Sequence, residues 1–373
     1  MRQTYISPDD DYRGFDEWLD TAEVRGIFLV CDPSLAFLDR FNRKLAALRK
    51  RFRIVRFSDF QPNPLYESVV RGVEAFRASG ADAIVAVGGG SAMDVAKCIK
   101  LYSNMPPGSD YLLQPVVPNG IPFLAMPTTA GTGSEATRYA VVYRDGAKQS
   151  IADDSCIPSA VLLDPSCLET LPPYQKKSTM MDALCHAVES FWSVNSTPES
   201  RAHSRDAIRL VLAHMEGCLA NDPAGNAGMM EAAHLAGKAI NVTQTTAGHA
   251  MCYKLTSLFG IAHGHAAILC DRVLFPWMLD HADQCIDPRG PARLDAAFRG
   301  IAEAMGRATP AEAAAGLDAI FRRLEFSVPA ATEAQFADLC ANVNPVRLKN
   351  HPVALSAGDI DFLYRRILRA AEA

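Results

Sequence analysis

This 373-residue sequence lacks long apolar runs, closely spaced pairs of cysteines and a large excess of positive or negative charge. No apolar run approaches the roughly 18–20 residues of a membrane-spanning helix, and the first dozen residues lack the apolar core of a signal peptide. The net charge of −5 gives no electrostatic case for binding nucleic acid or an anionic membrane. These features predict a soluble, cytoplasmic protein that binds neither nucleic acid nor a membrane.

The ten cysteines are scattered and form no C-x-x-C motif. Several of them, such as Cys98 and Cys185, lie in apolar segments, where cysteine acts as a small hydrophobic residue. That usage fits a reducing cytosol better than a secreted, disulfide-bonded scaffold. The chain is long enough for about two domains, each with its own core.

The first 165 residues alternate short β-like runs with helical patterns, which predicts an α/β domain with a largely parallel sheet. Residues 83–87 form the clearest buried strand, and Gly88-Gly89-Gly90-Ser91 follows it before a helical pattern over 92–102. Such a turn lets a phosphate approach the backbone and the helix N-terminus. The spacing is not G-x-G-x-x-G and a plain tight turn is the alternative, but the strand-turn-helix context favours phosphate binding.

A second loop follows the predicted strand 122–126. Residues 127–135 contain four hydroxyl side chains and two glycines, all near the end of a buried strand. Ligands of α/β folds bind at that end of the sheet, so we expect this loop to contact a polar ligand. A solvated surface loop is the alternative.

From residue 166 onward, strand-like runs nearly vanish, and helical periodicity continues to residue 373, which predicts an all-α second domain. Asp222 and Thr309 are candidate helix N-caps, and Thr309 is followed by Pro310 at the first helical position. The boundary is predicted between Pro165 and Pro173, short enough for the domains to pack together with a cleft between them.

The second domain carries one aspartate and three histidines that form a candidate metal site. Asp182 and His186 are spaced i,i+4 on a predicted helix, so they project from one face. His249 and His263 follow in apolar or small-residue surroundings. Together the four suit a divalent metal such as Fe(II), Zn(II) or Mn(II). Hydrogen-bonded core histidines are the alternative.

In combination, these motifs resemble the iron-dependent (group III, metal-containing) alcohol dehydrogenase family, from about residue 62 to residue 264. The resemblance implies a nicotinamide-dependent enzyme with a metal, most simply Fe(II), held by Asp182, His186, His249 and His263. It also implies a homodimer and a cofactor in the interdomain cleft. The residues that it implies for cofactor binding are Gly88, Gly89, Gly90, Ser91, Asp94, Thr128, Thr129, Thr132 and Asp32.

Two positions refine this expectation. Asp32 ends a predicted strand, where the family places the residue that selects the adenosine ribose, and its carboxylate favours NAD(H) over NADP(H). Many members carry a histidine four residues after the third ligand, near the nicotinamide, but this chain has Tyr253 there. Tyr253 is thus the catalytic candidate for proton transfer, although its ordinary pKa of about 10 makes it a poor base at neutral pH. Shaping the substrate pocket is its alternative role.

The segments around residues 236–243 and 253–266 look like one branch of the family, which includes phosphonoacetaldehyde and sulfoacetaldehyde reductases. Both of these act on a two-carbon aldehyde with a tetrahedral anionic head group, which needs cationic or N–H donors. The candidates for that recognition are Arg138, Lys238, Asn241 and Lys254, each of which could instead be a solvated surface residue.

Two other functions stay open at this stage. A general dehydrogenase of short alcohols or diols would need no cationic pocket. A non-redox relative, similar to dehydroquinate synthase, would perform lyase or cyclase chemistry on the same architecture. The intact 88–97 and 127–135 motifs favour a dehydrogenase. The residues alone do not determine the metal, the physiological direction, the proton-transfer group or the oligomeric state.

Overall fold

The structure is a computed structural model that describes residues 3–9, 11–108 and 110–371. The chain divides between Leu171 and Pro172 into two compact units. The outermost residues of the two predicted domains, 1, 2, 372 and 373, lie outside the described ranges. Within those ranges, no helix combines the length and the apolar character needed to cross a bilayer.

The first unit is built around a six-stranded, fully parallel sheet in the order β1-β8-β5-β4-β2-β3. The other two strands, β6 and β7, form a separate antiparallel hairpin. The strands are β1 Thr4–Ile6, β2 Gly26–Cys31, β3 Arg53–Phe57, β4 Ala83–Gly88, β5 Phe123–Pro127, β6 Tyr139–Arg144, β7 Ala147–Ala152 and β8 Ala160–Leu162. The helices are α1 Arg13–Thr21, α2 Asp39–Leu48, α3 Tyr66–Ser79 and α4 Gly90–Tyr102.

Both faces of this sheet are buried, because successive side chains of a strand point to opposite faces. In β2, Ile27 and Leu29 pack with the aromatic residues of α1 and α2, whereas Phe28 packs with α3 and α4. Every residue of β2 and β4 is buried. The continuous apolar runs of the sequence thus correspond to central strands covered by helices on both faces, and the predicted α/β fold class is confirmed.

The second unit is mostly helical, as predicted. Its helices are α5 Pro173–Trp192, α6 Pro198–Leu219, α7 Pro223–Thr243, α8 Ala247–Phe259, α9 His263–Asp280, α10 Pro291–Ala304, α11 Pro310–Arg323, α12 Glu333–Ala341, α13 Pro345–Leu348 and α14 Ala357–Ile367. It also contains a two-residue parallel strand pair that the sequence did not suggest, β9 Ala330–Ala331 and β10 Arg369–Ala370.

Helix α5 is the centre of this unit. It contacts α6, α7, α9 and α10, and all of its residues from Met180 to Trp192 are buried. Both predicted N-caps are confirmed: Asp222 accepts a hydrogen bond from Gly225 N at 2.8 Å, and Thr309 accepts one from Glu312 N at 3.2 Å. The two polar metal-ligand candidates of α5 therefore lie in the interior of the helical unit.

Candidate functional site

The predicted cofactor residues meet at one edge of the parallel sheet. Strands β2, β4 and β5 end side by side, with Cys31 opposite Val87 and Gly88 opposite Pro127. The order β3-β2-β4-β5-β8 is that of a flavodoxin-like sheet, whose ligand crevice opens where the winding reverses, here between β2 and β4. The loops after these three strands and the first turns of α4 carry all nine of the residues predicted to bind the cofactor.

Asp32 lies against the glycine turn. Its Oδ2 accepts a hydrogen bond from Gly89 N at 3.0 Å, and its Oδ1 accepts one from Ser34 N at 2.9 Å. Gly88 has φ of 153°, and a Cβ there would lie 2.3 Å from Asp32 Oδ2. Only glycine therefore allows the end of β4 to approach this carboxylate so closely.

The threonine loop packs on the same turn from the other side. Thr128 N donates to Gly88 O at 3.0 Å. A Cβ at Gly89 would lie 3.5 Å from Thr129 Cγ2, and one at Gly90 would lie 2.9 Å from Thr132 Cγ2. Ser91 stands in the first turn of α4, whose N-cap residue offers no side chain to the first N–H groups. The turn thus presents backbone N–H groups and hydroxyls, which suits the phosphates of a dinucleotide.

Asp94, also predicted to contact the cofactor, accepts two hydrogen bonds from other parts of the first unit. Its Oδ1 accepts a hydrogen bond from Ser134 Oγ at 3.0 Å and its Oδ2 accepts one from Val141 N at 3.1 Å, and burial raises the pKa of this carboxyl to about 6. Lys97, which the sequence did not single out, donates from Nζ to Ser134 Oγ at 2.9 Å and to Tyr139 O at 2.7 Å. Half-buried Asp94 and buried Lys97, spaced i,i+3 on α4, thus both hold Ser134 of the threonine loop against the helix.

Three of the four predicted metal ligands come together in the helical unit. One ligand atom each from Asp182, His249 and His263 lies within 4.8 Å of the others. Asp182 Oδ1 is 3.5 Å from His249 Nε2 and 3.9 Å from His263 Nε2. His186 lies at the edge of this cluster, where its ring stacks on that of His249 with centroids 4.4 Å apart.

The donor set of this cluster fits a divalent metal. Asp182 Oδ1 and His249 Nε2 are buried, and within the described residues neither atom has a hydrogen-bond partner. Buried polar atoms without a partner are costly, and a cation between them would satisfy both. Burial raises the pKa of Asp182, but His186, His263 and His249 outweigh it and hold the pKa below its usual value. A carboxylate with imidazoles suits Fe(II), Zn(II) or Mn(II).

His263 reaches the cluster because α9 begins very close to α5. A Cβ at Gly264 would lie 2.0 Å from Ser178 O and 2.8 Å from Asp182 Cβ, so only glycine permits this approach. Tyr253, one helical turn after His249 on α8, stacks on His263 with centroids 5.5 Å apart and an interplanar angle of 13°. The catalytic candidate of the sequence therefore lies beside the metal cluster.

Glu189 belongs to this site but was not recognised from the sequence. Its carboxylate contacts His249 Nδ1, the ring nitrogen opposite the one that faces Asp182. Burial raises the pKa of Glu189, but His249 and Thr246 hold it below its usual value. The signal was available: Asp182, His186 and Glu189 are spaced i, i+4 and i+7, which places all three on one face of α5.

The four candidates for binding an anionic head group have different settings. Arg138, in the first unit, pairs with Asp154 at 2.9 Å, and Lys254 on α8 pairs with Asp338 at 2.9 Å. Lys238 and Asn241 are half-buried and lie three residues apart on α7. The end of α7 leads directly to α8 and His249.

Comparison with known proteins gives consistent matches for both units. Residues 3–165 match the family profile described as iron-containing alcohol dehydrogenase, and residues 176–348 match that of the C-terminal part of the Fe-containing alcohol dehydrogenase family. Phosphonoacetaldehyde reductase of Streptomyces viridochromogenes is 36% identical to this chain over 262 residues. The matched region is 66% of this chain and 66% of that protein, so it spans just under two thirds of the relative's length.

Two further relatives extend the comparison. Long-chain-alcohol dehydrogenase 1 of Geobacillus thermodenitrificans is 31% identical over 275 residues, 71% of this chain and 68% of that protein. The crystal structure of sulfoacetaldehyde reductase from Bifidobacterium kashiwanohense in complex with NAD+ has a TM-score of 0.87 and 26% identity. That match covers 99% of this chain and 98% of the crystallised one.

Proposed function

Because the chain belongs to the iron-containing alcohol dehydrogenase family and is therefore an oxidoreductase, we propose that it reduces a short aldehyde with an anionic head group. The cofactors in this proposal are NADH and a divalent metal, most simply Fe(II), with Zn(II) or Mn(II) as alternatives. The main support for this proposal is that one ligand atom each of Asp182, His249 and His263 lies within 4.8 Å of the others, and that Tyr253 stacks on His263.

In the proposed metal centre, Asp182, His249 and His263 hold the ion, and His186 completes the ligand set from the edge of the cluster. When bound, the metal supplies Lewis acidity toward a carbonyl oxygen, and the nicotinamide supplies the hydride. The chain's own residues provide position and a dry environment, since Asp182 and His249 are buried. In this proposal Tyr253, which stacks on His263, borders the substrate and takes part in proton transfer.

In the proposed cofactor site, the glycine turn and the N-terminus of α4 receive the phosphates of NAD(H). Asp32 supports the preference for NAD(H), because a carboxylate accepts a hydrogen bond from a free ribose hydroxyl and repels a phosphate at that position. Its two contacts to Gly89 N and Ser34 N hold this carboxylate at the edge of the sheet. Thr128, Thr129 and Thr132 border the same turn.

The proposed substrates are phosphonoacetaldehyde, giving 2-hydroxyethylphosphonate, and sulfoacetaldehyde, giving isethionate. The names of two relatives support this class, because one reduces phosphonoacetaldehyde and the other sulfoacetaldehyde. Among the three cationic candidates for the head group, half-buried Lys238 is the foremost, because Arg138 and Lys254 each face a carboxylate. Asn241, three residues further along α7, is the neutral candidate.

The test is NADH oxidation by metal-loaded protein with phosphonoacetaldehyde, sulfoacetaldehyde, acetaldehyde and glycolaldehyde side by side. We expect one anionic aldehyde to have a kcat/KM at least ~100-fold above acetaldehyde, equivalent to about 2.7 kcal/mol of head-group recognition. Lys238→Ala should then remove most of this preference, whereas Lys254→Ala should remove less of it.

A general alcohol dehydrogenase is the second candidate, favoured by the likeness to a long-chain-alcohol dehydrogenase. In that case acetaldehyde or glycolaldehyde would react as well as the anionic aldehydes, and Lys238→Ala would change all four rates equally. Equal rates for the neutral and the anionic aldehydes would contradict the anionic substrate class, and an equal effect of Lys238→Ala on all four would contradict the role of Lys238. Both results leave the oxidoreductase assignment in place.

We also propose that the enzyme works in the cytoplasm as a homodimer. The scattered cysteine usage of the sequence supports the reducing compartment, and the family resemblance supports the dimer. Sedimentation of the purified protein at twice the mass of one chain is the result that this proposal requires.

A further inference from the structure

Glu189 collects four donors from the start of a neighbouring helix. Its Oε2 accepts from Thr246 N and from Thr246 Oγ1, both at 2.6 Å. Its Oε1 accepts from His249 N at 3.0 Å and contacts His249 Nδ1. All four donors belong to the N-cap or first turn of α8, and the carboxylate is fully buried.

These contacts do two things at once. Helix α8 has no side-chain cap from its own N-cap residue, Thr246. Glu189 accepts hydrogen bonds from the helix N-terminus instead, where a negative charge is favourable. The same carboxylate accepts a hydrogen bond from Nδ1–H of His249, so Nε2 is the nitrogen left to face Asp182, 3.5 Å away.

We propose that Glu189 is a positioning residue for the metal centre. It holds the His249 imidazole in the orientation and tautomer that present Nε2 to a metal, and it acts from the same face of α5 that carries Asp182. A metal-binding histidine whose other nitrogen donates to a carboxylate is a better oriented and more basic ligand. This inference rests on the proposed function, because it takes the cluster to be a metal site.

Asp271 on α9 offers a matched comparison. It is as deeply buried as Glu189, and a Cβ at Gly248 would lie 1.9 Å from Asp271 Oδ1 and 2.7 Å from Glu189 Oε1. The two carboxylates therefore face the same point of α8. Within the described residues, however, neither oxygen of Asp271 accepts a hydrogen bond from a nitrogen or oxygen donor. Asp271 shares the location of Glu189 without its contact to the imidazole.

The test compares the metal affinities of three variants with that of the wild type, measured by competition with a chelator for Zn(II). Glu189→Gln keeps the size of the side chain but removes the charge and places an amide N–H₂ among donors. We expect its affinity to fall ~10–100-fold, the range for a carboxylate that supports a metal-binding histidine. Asp271→Asn, which loses no such contact, should stay within about threefold of the wild type.

Thr246→Val tests whether the loss of any hydrogen bond to Glu189 weakens metal binding, because it removes the hydroxyl that donates to Glu189 but leaves the contact to His249. The same hydroxyl accepts from Trp192 Nε1, so we expect the variant to lower the melting temperature of the metal-free protein while keeping metal affinity within about threefold. If Thr246→Val and Glu189→Gln lose affinity equally, or if Glu189→Gln binds Zn(II) like the wild type, the positioning role is wrong.

A measurement on the unchanged protein makes the test independent of how the variants fold. In ¹⁵N-histidine-labelled, zinc-loaded wild type, the His249 shifts should report a metal on Nε2 and a hydrogen-bonded proton on Nδ1. Metal on Nδ1 would overturn the inference. A wild type that binds no metal at all would overturn the proposed metal centre instead, so the two failures are distinguishable.

Discussion

Asp182→Asn is expected to weaken metal binding at least ~1,000-fold, which corresponds to about 4 kcal/mol. Asp182 is the only carboxylate in the three-residue cluster that the described residues form, and its Oδ1 lies 3.5 and 3.9 Å from the two histidine nitrogens. Asparagine keeps the shape of the side chain but loses the charge that attracts a dication into a buried site. Aldehyde reduction should fall with the metal content.

The measurement is the metal content of the purified variant after dialysis, together with its circular dichroism to verify folding. Asp206→Asn, an exposed position on α6, is the control and should bind metal like the wild type. If Asp182→Asn folds and still retains one metal per chain, the ion lies elsewhere and the assignment of the cluster is wrong.

Gly88→Ala is expected to weaken NADH binding at least ~100-fold, or about 2.7 kcal/mol. The φ of 153° at this position belongs to a region that is essentially restricted to glycine, and a non-glycine residue there costs of order 1–3 kcal/mol. The added Cβ would also lie 2.3 Å from Asp32 Oδ2, so the carboxylate that holds the glycine turn must move. Both effects deform the turn that we propose to bind the phosphates.

Fluorescence titration of NADH into the metal-free protein measures this effect without any catalytic step. Gly80→Ala is the matched control, because Gly80 also has a positive φ, 67°, but a Cβ there meets no atom within 4 Å. It should cost about 1–2 kcal/mol of stability, the penalty for an L-residue in the left-handed conformation, and leave NADH binding unchanged. Equal NADH affinities for Gly88→Ala and the wild type would show that the cofactor binds away from this turn.

Much of the site could be predicted from local pattern. The apolar run before Gly88 identified a central strand, and the family together with its reductase branch is confirmed. The i,i+4 spacing of Asp182 and His186 correctly placed both residues on one helix face. These features follow from the direction of the side chains, which repeats every 2 residues in a strand and every 3.6 residues in a helix, so the pattern is visible in the sequence.

The rest depends on which elements meet in three dimensions. The carboxylate of Asp94, a residue predicted to contact the cofactor, accepts hydrogen bonds from Ser134 and Val141, because β6 packs against α4. Glu189 looked like an ordinary helix residue, since its partner His249 is 60 residues away in the chain. Spacing alone could not reveal either contact. The sequence shows that Asp94 lies three residues before Lys97 and His186 three residues before Glu189, but it does not show which residues of other elements they contact.

The most direct test of the account is NADH oxidation by one preparation of protein, first stripped of metal and then reloaded with Fe(II) without oxygen. With phosphonoacetaldehyde or sulfoacetaldehyde as substrate, we predict no oxidation above background for the stripped protein and turnover that rises with metal content to one ion per chain. Equal rates with and without metal would contradict the role of the Asp182, His249 and His263 cluster. A metal-loaded protein that oxidises NADH with none of the aldehydes would contradict the proposed reductase.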